Sequence, residues 1–330
     1  VLKHLALPVL NQPLIARALA GVRRSRVAIF MLHRFRQSAG MARGGGHDPA
    51  ALDRLLRSLR ASGVNTVPLD TLVAGLVGIG PLPQGPAVAF TVDDCYVDLA
   101  EEALPVFMAH DCHVTGFVAP DVVDGTCWFW WDQVQFILRH AVARPITVDL
   151  AGTAVTLDWT DDASRQRAGD AFTERLKALP ADALERVIQS LAAAANVALP
   201  VAAPSEYAVL SWDRLRAIEA TGIARFGAHT LTHPVLARCD DARAAREIEG
   251  SVARLRAELR DPSQVFAYPV GRRVDFGPRE EALVAAAGLL GAVTAISGRP
   301  ALAEGNDTRW RIPRFSYDAR RGATIRLLLL

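Results

Sequence analysis

The sequence predicts an α/β fold in which a parallel sheet is flanked by helices, and three observations carry the prediction. Short apolar runs rich in β-branched residues alternate with stretches of helical periodicity, the order that parallel βαβ units produce. Glycine and proline fall where one period gives way to the other. The chain has 330 residues, 51% of them hydrophobic and 22% charged, which suits one large globular domain or two small ones. At that size roughly 75% of the unfolded surface is buried, so folding requires neither disulfides nor a structural metal. The pattern is compatible with an open doubly wound sheet and with a closed barrel.

Val27 to Leu32 is an apolar run that reads as a buried first strand carrying His33 at its end. Gly44 to Gly46 marks a loop. Leu52, Leu55, Leu56 and Leu59 recur at helical spacing, Gly63 stops that helix, and Val64 to Leu69 reads as a strand. The turn-rich stretch from Pro81 to Pro86 leads into Ala87-Val88-Ala89-Phe90, a strand ending at Asp93. A helix around Leu99 to Met108 and a strand from His113 to Val118 follow. Between about 141 and 209 the rhythm breaks: short alternating apolar pieces (Ile146 to Leu157) precede a charged, alanine-rich helical region from Ala163 to Ala195. It resumes with Val209 to Leu215, which leads into the strand Ala224 to Ala228, directly followed by His229. Ile248, Val252, Leu255 and Leu259 form the inner stripe of an amphipathic helix. Val265 to Tyr268 and Ala292 to Ile296 read as strands, with a helix from Leu283 to Leu290 between them.

Charge and cysteine content exclude several classes. A net charge of +2 gives no electrostatic reason to expect nucleic acid as a partner. Cys95, Cys112, Cys127 and Cys239 show no Cys-x-x-Cys spacing and read as small thiols in a reducing compartment. The first ten residues hold a basic residue and an apolar patch, without a long apolar core or a clear cleavage site. No run reaches the roughly 18 uninterrupted apolar residues of a spanning helix. The expectation is a soluble, cytoplasmic protein, the alternatives being a periplasmic protein or one resting on the inner membrane through an N-terminal helix. Nothing in the sequence sets the oligomeric state.

The chemistry concentrates in two places. Asp93 and Asp94 stand at the end of a strand, where adjacent side chains point to opposite faces unless a turn re-aims one of them. His229 and His233 are four residues apart, the spacing that brings two side chains together on a helical turn. One carboxylate and two imidazoles make a three-ligand set for a borderline divalent ion, with an open position for water or substrate. The other carboxylate is then free to act as a base.

Phe90-Thr91-Val92-Asp93-Asp94, Gly227 to Pro234 around the paired histidines, and Phe266-Ala267-Tyr268-Pro269-Val270-Gly271 occur in the order and local form of the polysaccharide deacetylases, and the chain resembles that family. Its members share the NodB homology domain and are of the carbohydrate esterase family 4 type. Met31 to Phe35, Gly116 to Ala119, Trp128 to Asp132 and Arg311 to Phe315 extend the resemblance over residues 27–316. It implies a distorted (β/α)7 barrel with its site at the carboxyl ends of the strands. Residues 1–26 then form an N-terminal segment, possible as a helix, and 317–330 a C-terminal tail. Because compact members place the histidines much nearer the aspartates than the 135 positions seen here, 141–209 reads as a mostly helical insertion packed over one side of the barrel.

The resemblance further implies that Asp94, His229 and His233 hold a divalent metal, zinc with cobalt or nickel as alternatives, and that Asp93 is the catalytic base. It implies that Tyr268 and Pro269 line the substrate pocket and that the Val270 N–H serves the oxyanion. Trp130 and Trp131 are candidates to stack on sugar rings, although on a strand they cannot face the same way; at least one of the cluster with Trp128 belongs to the core. Three positions depart from the family. Cys95 stands where glycine is usual, a tolerated small residue rather than a ligand, and Ala267 where an arginine often orients the base. Arg272, Arg273 or Arg314 could supply that charge, and Arg314 is also taken as a substrate contact. No histidine follows His233, so the family's late Leu-x-His acid is missing. His33 is then either the proton donor or a structural histidine. The expected activity is metal-dependent hydrolysis of N-acetyl groups on an amino-sugar polysaccharide, oligosaccharide or glycolipid, as in exopolysaccharide biosynthesis. The rivals are a catalytically silent sugar-binding barrel and a deacylase or deformylase of a lipid-linked sugar.

Overall fold

The computed structural model describes residues 27–36, 46–142, 144–300 and 306–317. The expected N-terminal segment (1–26), Gly44 and Gly45, and the tail from 318 onward lie outside the described residues. In chain order, β1 (Val27–Leu32) is followed by α1 (Pro49–Ala61), β2 (Asn65–Thr66), α2 (Leu69–Leu76) and β3 (Ala87–Val92). A π-helical turn (Leu99–Ala103) opens α3 (Leu104–Ala109); β4 (Val114–Val118), α4 (Pro120–Val123) and α5 (Trp130–His140) come next. The segment 141–209 holds β5 (Ile146–Leu150), β6 (Thr153–Leu157), α6 (Asp162–Leu176) and α7 (Ala181–Ala194). Then follow α8 (Trp212–Glu219), β7 (Ala224–Ala228), α9 (Asp241–Glu258), β8 (Val265–Ala267), α10 (Pro278–Ala286), β9 (Gly291–Val293) and β10 (Phe315–Ser316).

β10, β1, β3, β4 and β7 form one parallel sheet in that order, and β8 pairs with β9, also in parallel. The Ser263 N–H donates to the Phe226 carbonyl at 2.9 Å on one side of the β8/β9 pair. On the other side Val293 bridges Ile312 just ahead of β10. The order β1-β3-β4-β7-β8-β9-β10 therefore returns to β1, a distorted (β/α)7 barrel. Its distortion lies where β7 meets β8 without a ladder and where the last strand is interrupted. β2 pairs only with Ala87 and Val88, on the edge of β3 that β4 leaves free.

The two-residue period of the strands sorts their side chains. Val27 and Ile29 of β1 and Ala87 and Ala89 of β3 share an interior cluster with Phe117, Ala267 and Val293, closed by Leu69, Leu72 and Val73 of α2. Ala28, Phe30, Leu32, Val88, Phe90 and Val92 pack in the outer cluster with Leu52, Leu55, Leu56 and Leu59 of α1. That helix starts where it does because Asp48 accepts from the Ala50 N–H at 3.0 Å and Pro49 occupies its first turn. Truncating one of its buried leucines to alanine costs about 2–5 kcal/mol.

Boundaries shift in places. Of the expected strand 64–69 only Asn65 and Thr66 form β2, with the Val67 N–H still donating to the Val88 carbonyl at 2.9 Å, because Pro68 lacks an N–H and caps α2. The helix expected at Leu283 begins at Pro278, where the Gly277 N–H donates to Glu280 Oε2 at 2.8 Å. Segment 141–209 carries two α-helices, α6 and α7, and besides them an antiparallel hairpin turned by Ala151 and Gly152, both at positive φ. Its core, with Ile146, Phe172, Leu176 and Leu191, takes in Val134, Ile137 and Leu138 of α5.

Gly116 on β4 shows how tightly the sheet and its helices meet: a Cβ there would lie 2.6 Å from Cys95 Sγ and 2.7 Å from the Phe226 ring. Gly116→Ala is predicted to destabilise the protein by about 1–3 kcal/mol through overpacking, read as a lower denaturant midpoint. Combining it with Cys95→Ala should recover part of that loss; full additivity of the two costs would disprove the contact as its cause.

Candidate active site

The inward face of β3 continues past its last paired residue, so Ala87, Ala89, Thr91 and Asp93 share one side. The Asp93 N–H donates to the Leu32 carbonyl at 2.9 Å, which keeps the chain in register as the strand ends. Asp94 (φ 68°) and Cys95 (φ 47°) are then both left-handed, and this turn aims Asp94 into the same pocket as Asp93. The Cys95 side chain is buried in the outer core over Gly116, and burial pushes its thiol well up, so it stays neutral and apart from the ligand set.

His229 directly follows β7. Its N–H donates to the Val118 carbonyl at 2.9 Å, and its Nδ1 lies 2.7 Å from the Ala267 carbonyl. A carbonyl only accepts, so Nδ1 carries the proton and Nε2 presents a lone pair to the pocket. The helical turn expected between the two histidines is absent. Thr230 and His233 are left-handed (φ 64° and 60°), and the segment is a loop. Thr230 Oγ1 accepts from the His233 N–H at 3.0 Å. Buried Glu247 of α9 accepts from the Leu231 and Thr232 N–H groups, each at 2.9 Å, and from the Thr232 hydroxyl at 2.6 Å. The two imidazole centroids end 4.7 Å apart. Sequence reasoning missed Glu247; its signal was a carboxylate inside the apolar stripe that includes Ile248, Val252 and Leu255.

Asp94 Oδ1 lies 3.5 Å from His233 Nε2 and 3.8 Å from His229 Nε2, and the three ligand atoms sit within 4.8 Å of one another. Asp94 Oδ1 is buried without a hydrogen-bond partner among the described residues. A tetrahedral ion with ligands at 2.0–2.1 Å holds neighbouring donors roughly 3.3 Å apart, so this set fits a divalent cation. The electrostatics agree. Burial, then Asp93 and Asp132, push the Asp94 carboxyl well up; burial pushes His229 down to about 4 and His233 well below the usual imidazole range. The donors favour neutrality without a cation, and a divalent charge reverses that preference for the carboxyl.

Asp93 has a different partner. Arg314 donates to it through both terminal nitrogens, Nη1 to Oδ1 at 2.7 Å and Nη2 to Oδ2 at 2.8 Å, while Nη1 also donates to Thr91 Oγ1 and Nε to the Thr294 carbonyl. Burial alone would raise the Asp93 carboxyl, but the guanidinium outweighs it and holds the group well below the ordinary carboxylate range. Arg314 is 1% exposed, so its expected role as a substrate contact is corrected: it is the charge that orients Asp93. Arg272 is engaged by Asp275 and Glu174 instead, and Arg273 is exposed.

A cavity of about 340 Å³ opens beside these groups, lined by Met31, His33, Asp93, Asp94, His229 and His233. His33 keeps its side chain 44% exposed, with Nε2 3.9 Å from Asp93 Oδ2. Trp130 and Trp131 both line the cavity because they open a helix rather than lie on a strand. Trp131 packs edge-on to His233 at 4.5 Å, whereas Trp128 is buried against Phe136 and Tyr207. Val270 (φ 60°) reaches the cavity, and the bonds of its turn, Gly271 N–H to Pro269 and Ala295 N–H to Gly271, leave its own N–H without a partner among the described residues. The expectation that Tyr268 and Pro269 contact substrate is corrected. Tyr268 is 1% exposed and stacked on Phe276 at 4.1 Å, Pro269 is buried, and neither lines the cavity. Asp170 and Thr173 of α6 and Lys177 just past its end also line the cavity.

The family model described as polysaccharide deacetylase matches residues 82–289. No curated protein sequence matches the chain. Among solved structures, the Streptococcus pyogenes deacetylase PplD, in complex with acetate, superposes with a TM-score of 0.60 at 15% identity over 92% of this chain and 98% of its own. A de-N-acetylase from Aggregatibacter actinomycetemcomitans gives 0.57 at 13% identity, over 92% and 99%. IcaB from Ammonifex degensii gives 0.56 at 16%, over 92% and 97%. At these identities the structures speak for the fold, and the family model, spanning more than half of the chain, decides the family. The chain belongs to the polysaccharide deacetylase family.

Proposed function

We propose that this protein is a metal-dependent carbohydrate N-deacetylase that removes N-acetyl groups from an amino-sugar polysaccharide, oligosaccharide or glycolipid. Family membership supports the coarse activity, hydrolysis of a carbohydrate amide. The observation that carries the finer reading is the pairing of two unlike carboxylates in one pocket: Asp94 buried against two imidazoles, and Asp93 clamped by Arg314.

Asp94, His229 and His233 would hold the ion, most fittingly zinc, with cobalt or nickel as alternatives. When bound it would polarise the amide carbonyl and lower the pKa of water toward 7. Asp93 takes the proton of the attacking water; Arg314 keeps it ionised and fixes both oxygens, at some cost in basicity. The Val270 N–H points to an oxyanion donor. His33, on the same wall as Asp93, gives a proton to the departing amine, which otherwise leaves poorly. Trp130 and Trp131 offer faces to a sugar ring. The buried Asp93–Arg314 pair argues against a silent sugar-binding barrel, because binding alone requires no second buried carboxylate. Among the described residues no helix is long and apolar enough to cross a membrane.

Acetate release from a panel of N-acetylated oligosaccharides tests the reading directly. Formate release from N-formyl analogues alone would shift it to a deformylase, and neither product in the presence of added zinc, cobalt or nickel would refute it. The two aspartates separate the roles. Asp94→Ala and His233→Ala should lose bound metal together with activity. Asp93→Asn should keep about one metal equivalent per chain and lose turnover by roughly 10² to 10⁴-fold. Metal loss in Asp93→Asn, with retention in Asp94→Ala, would reverse the assignment.

His33→Ala should slow hydrolysis of an ordinary amide far more than that of a substrate whose leaving group needs no proton. Equal losses on both would make His33 a binding or structural residue.

Arg314→Met strands the Asp93 carboxylate in the barrel and should cost about 3–5 kcal/mol at pH 7. The sign follows from linkage. In the wild type the depressed Asp93 contributes stability above the unfolded carboxyl pKa of about 4 and loses it as pH falls through the lower folded value. In the variant, burial unopposed raises the folded value, so stability is lost as pH rises. The gap between the two proteins should therefore widen from pH 4 to pH 7 in denaturant titrations; a constant gap would show that Asp93 is not the cause.

A further inference from the structure

A second chamber of about 210 Å³ adjoins the catalytic cavity and shares His33, Asp94, Trp131 and Gln135 with it. Its far side presents three guanidinium groups, Arg34, Arg36 and Arg139. Residues 34 and 36 lie two apart on the chain that leaves β1, and His47 pins that chain from both sides: the Arg36 N–H donates to its carbonyl at 3.0 Å and its N–H donates to the Arg34 carbonyl at 2.8 Å. Two of the three cations are matched. Arg34 bonds Asp98 at 2.5 Å and lies over the Tyr96 ring, and Arg139 bonds Glu206 at 2.6 Å. Arg36 has no hydrogen-bonded or ion-paired carboxylate among the described residues; burial, Arg34 and Arg139 act against its charge, and Asp98 and Glu206, already bonded to Arg34 and Arg139, support it only from beyond ion-pair distance. Two carboxyls line the chamber: Asp94, assigned to the ligand set, and Asp132, which accepts from the Tyr96 hydroxyl at 2.6 Å and which burial pushes up to about 7. Asp132 is taken up by Tyr96 and forms no ion pair with Arg36 among the described residues.

A half-buried guanidinium with no carboxylate bonded to it gains from an anion that meets it, and its planar fork matches carboxylate and phosphate oxygens in pairs. We propose that this chamber is a subsite for an anionic substituent, a carboxylate or a phosphate, on the sugar residue adjacent to the one that is deacetylated, with Arg36 as its principal contact. The position follows from the shared wall: a substrate seated on His33 and Trp131 in the catalytic cavity places its neighbouring unit across that wall. The inference rests on the deacetylase reading and narrows its substrate class from neutral amino sugars to acidic ones.

The test compares three oligosaccharides of equal length: a neutral N-acetylated one, one with a uronic acid next to the acetamido sugar, and one with a phosphate on that neighbouring unit. The wild type should prefer one or both acidic substrates in kcat/KM by roughly 10- to 100-fold at low salt. That preference should shrink as ionic strength rises. Arg36→Gln should collapse the ratio of acidic to neutral kcat/KM, mainly through KM, and Arg36→Lys should restore part of it. A response confined to the uronic acid or to the phosphate identifies the anion. No preference in the wild type, or equal losses on acidic and neutral substrates in Arg36→Gln, overturns the proposal. If none of the three is hydrolysed, the deacetylase reading falls, and calorimetric binding of the same oligosaccharides to the wild type and Arg36→Gln still decides the subsite. If Arg36→Gln does not fold, the wild-type preference and its salt dependence decide it.

Discussion

The buried pair between Arg314 and Asp93 is the interaction on which both the barrel and its site depend. Taking two full charges out of water costs several kcal/mol each, and the attraction between them repays that only when the remaining polar valences are also met. Here they are: Arg314 bonds both Asp93 oxygens, Thr91 Oγ1 and the Thr294 carbonyl, while Thr91 in turn donates to the Phe30 carbonyl. The partners come from β3, from the end of β9 and from the interrupted last strand. Closing the ring and satisfying the ion pair are therefore one event. A barrel open between Val293 and Ile312 would leave Asp93 as an unpaired buried carboxylate, so the charge that the site uses also enforces the closure that builds it.

Around that pair the backbone is strained in a patterned way. Of the eight non-glycine residues at positive φ among the described residues, five (Asp94, Cys95, Thr230, His233 and Val270) border the cavity or stand next to a residue that does. Each such conformation costs on the order of 1–3 kcal/mol and persists only where surrounding contacts fix it. Glu247 gathers the donors of the histidine loop, the Ala267 carbonyl holds the His229 ring, and the Leu32 carbonyl holds the Asp93 backbone. Cys95 shows the trade most plainly. Glycine would adopt φ 47° without strain, but the cysteine side chain fills the space over Gly116 that a glycine would leave empty.

Much of this was legible in the sequence because it depends on local periodicity. The β1, β3 and β7 strands, the stripe on α9 and the placement of Asp93, Asp94 and His229 at strand ends follow from two- and 3.6-residue patterns and short motifs. What escaped depends on contacts that no local pattern encodes. Ala267 removed the expected arginine, and which of the three candidates, Arg272, Arg273 or Arg314, replaces it is known only once the barrel closes and brings Arg314 to Asp93 across 221 positions. His229 and His233 carry helical spacing, yet they meet across a left-handed loop, since Glu247 offers the loop a better set of acceptors than a helix would. Tyr268 was assigned to the pocket by its motif, but the next strand of the barrel and Phe276 enclose it. On a strand Trp130 and Trp131 would face opposite ways; as the first turn of α5 they point about 100° apart, which lets both border the cavity.

That first turn links the insertion to the chemistry. Trp130 belongs to the core that the insertion builds with Ile146, Phe172 and Leu191, whereas Trp131 packs on Phe129 at 4.5 Å and edge-on to His233 at 4.5 Å. One helix is thus shared between two cores, and its exposed end is a wall of the pocket. Polar contacts add a second link: Lys177 pairs with Glu174, Glu174 with Arg272, and Arg272 with Asp275 beyond the Val270 turn. Glu174 and Arg272 are 56% and 42% exposed, so that chain of charges contributes little stability. The apolar core of the insertion does the holding. Its packing on α5 therefore sets the position of both tryptophans relative to the metal ligands, and with it the width of the space in which a sugar must fit.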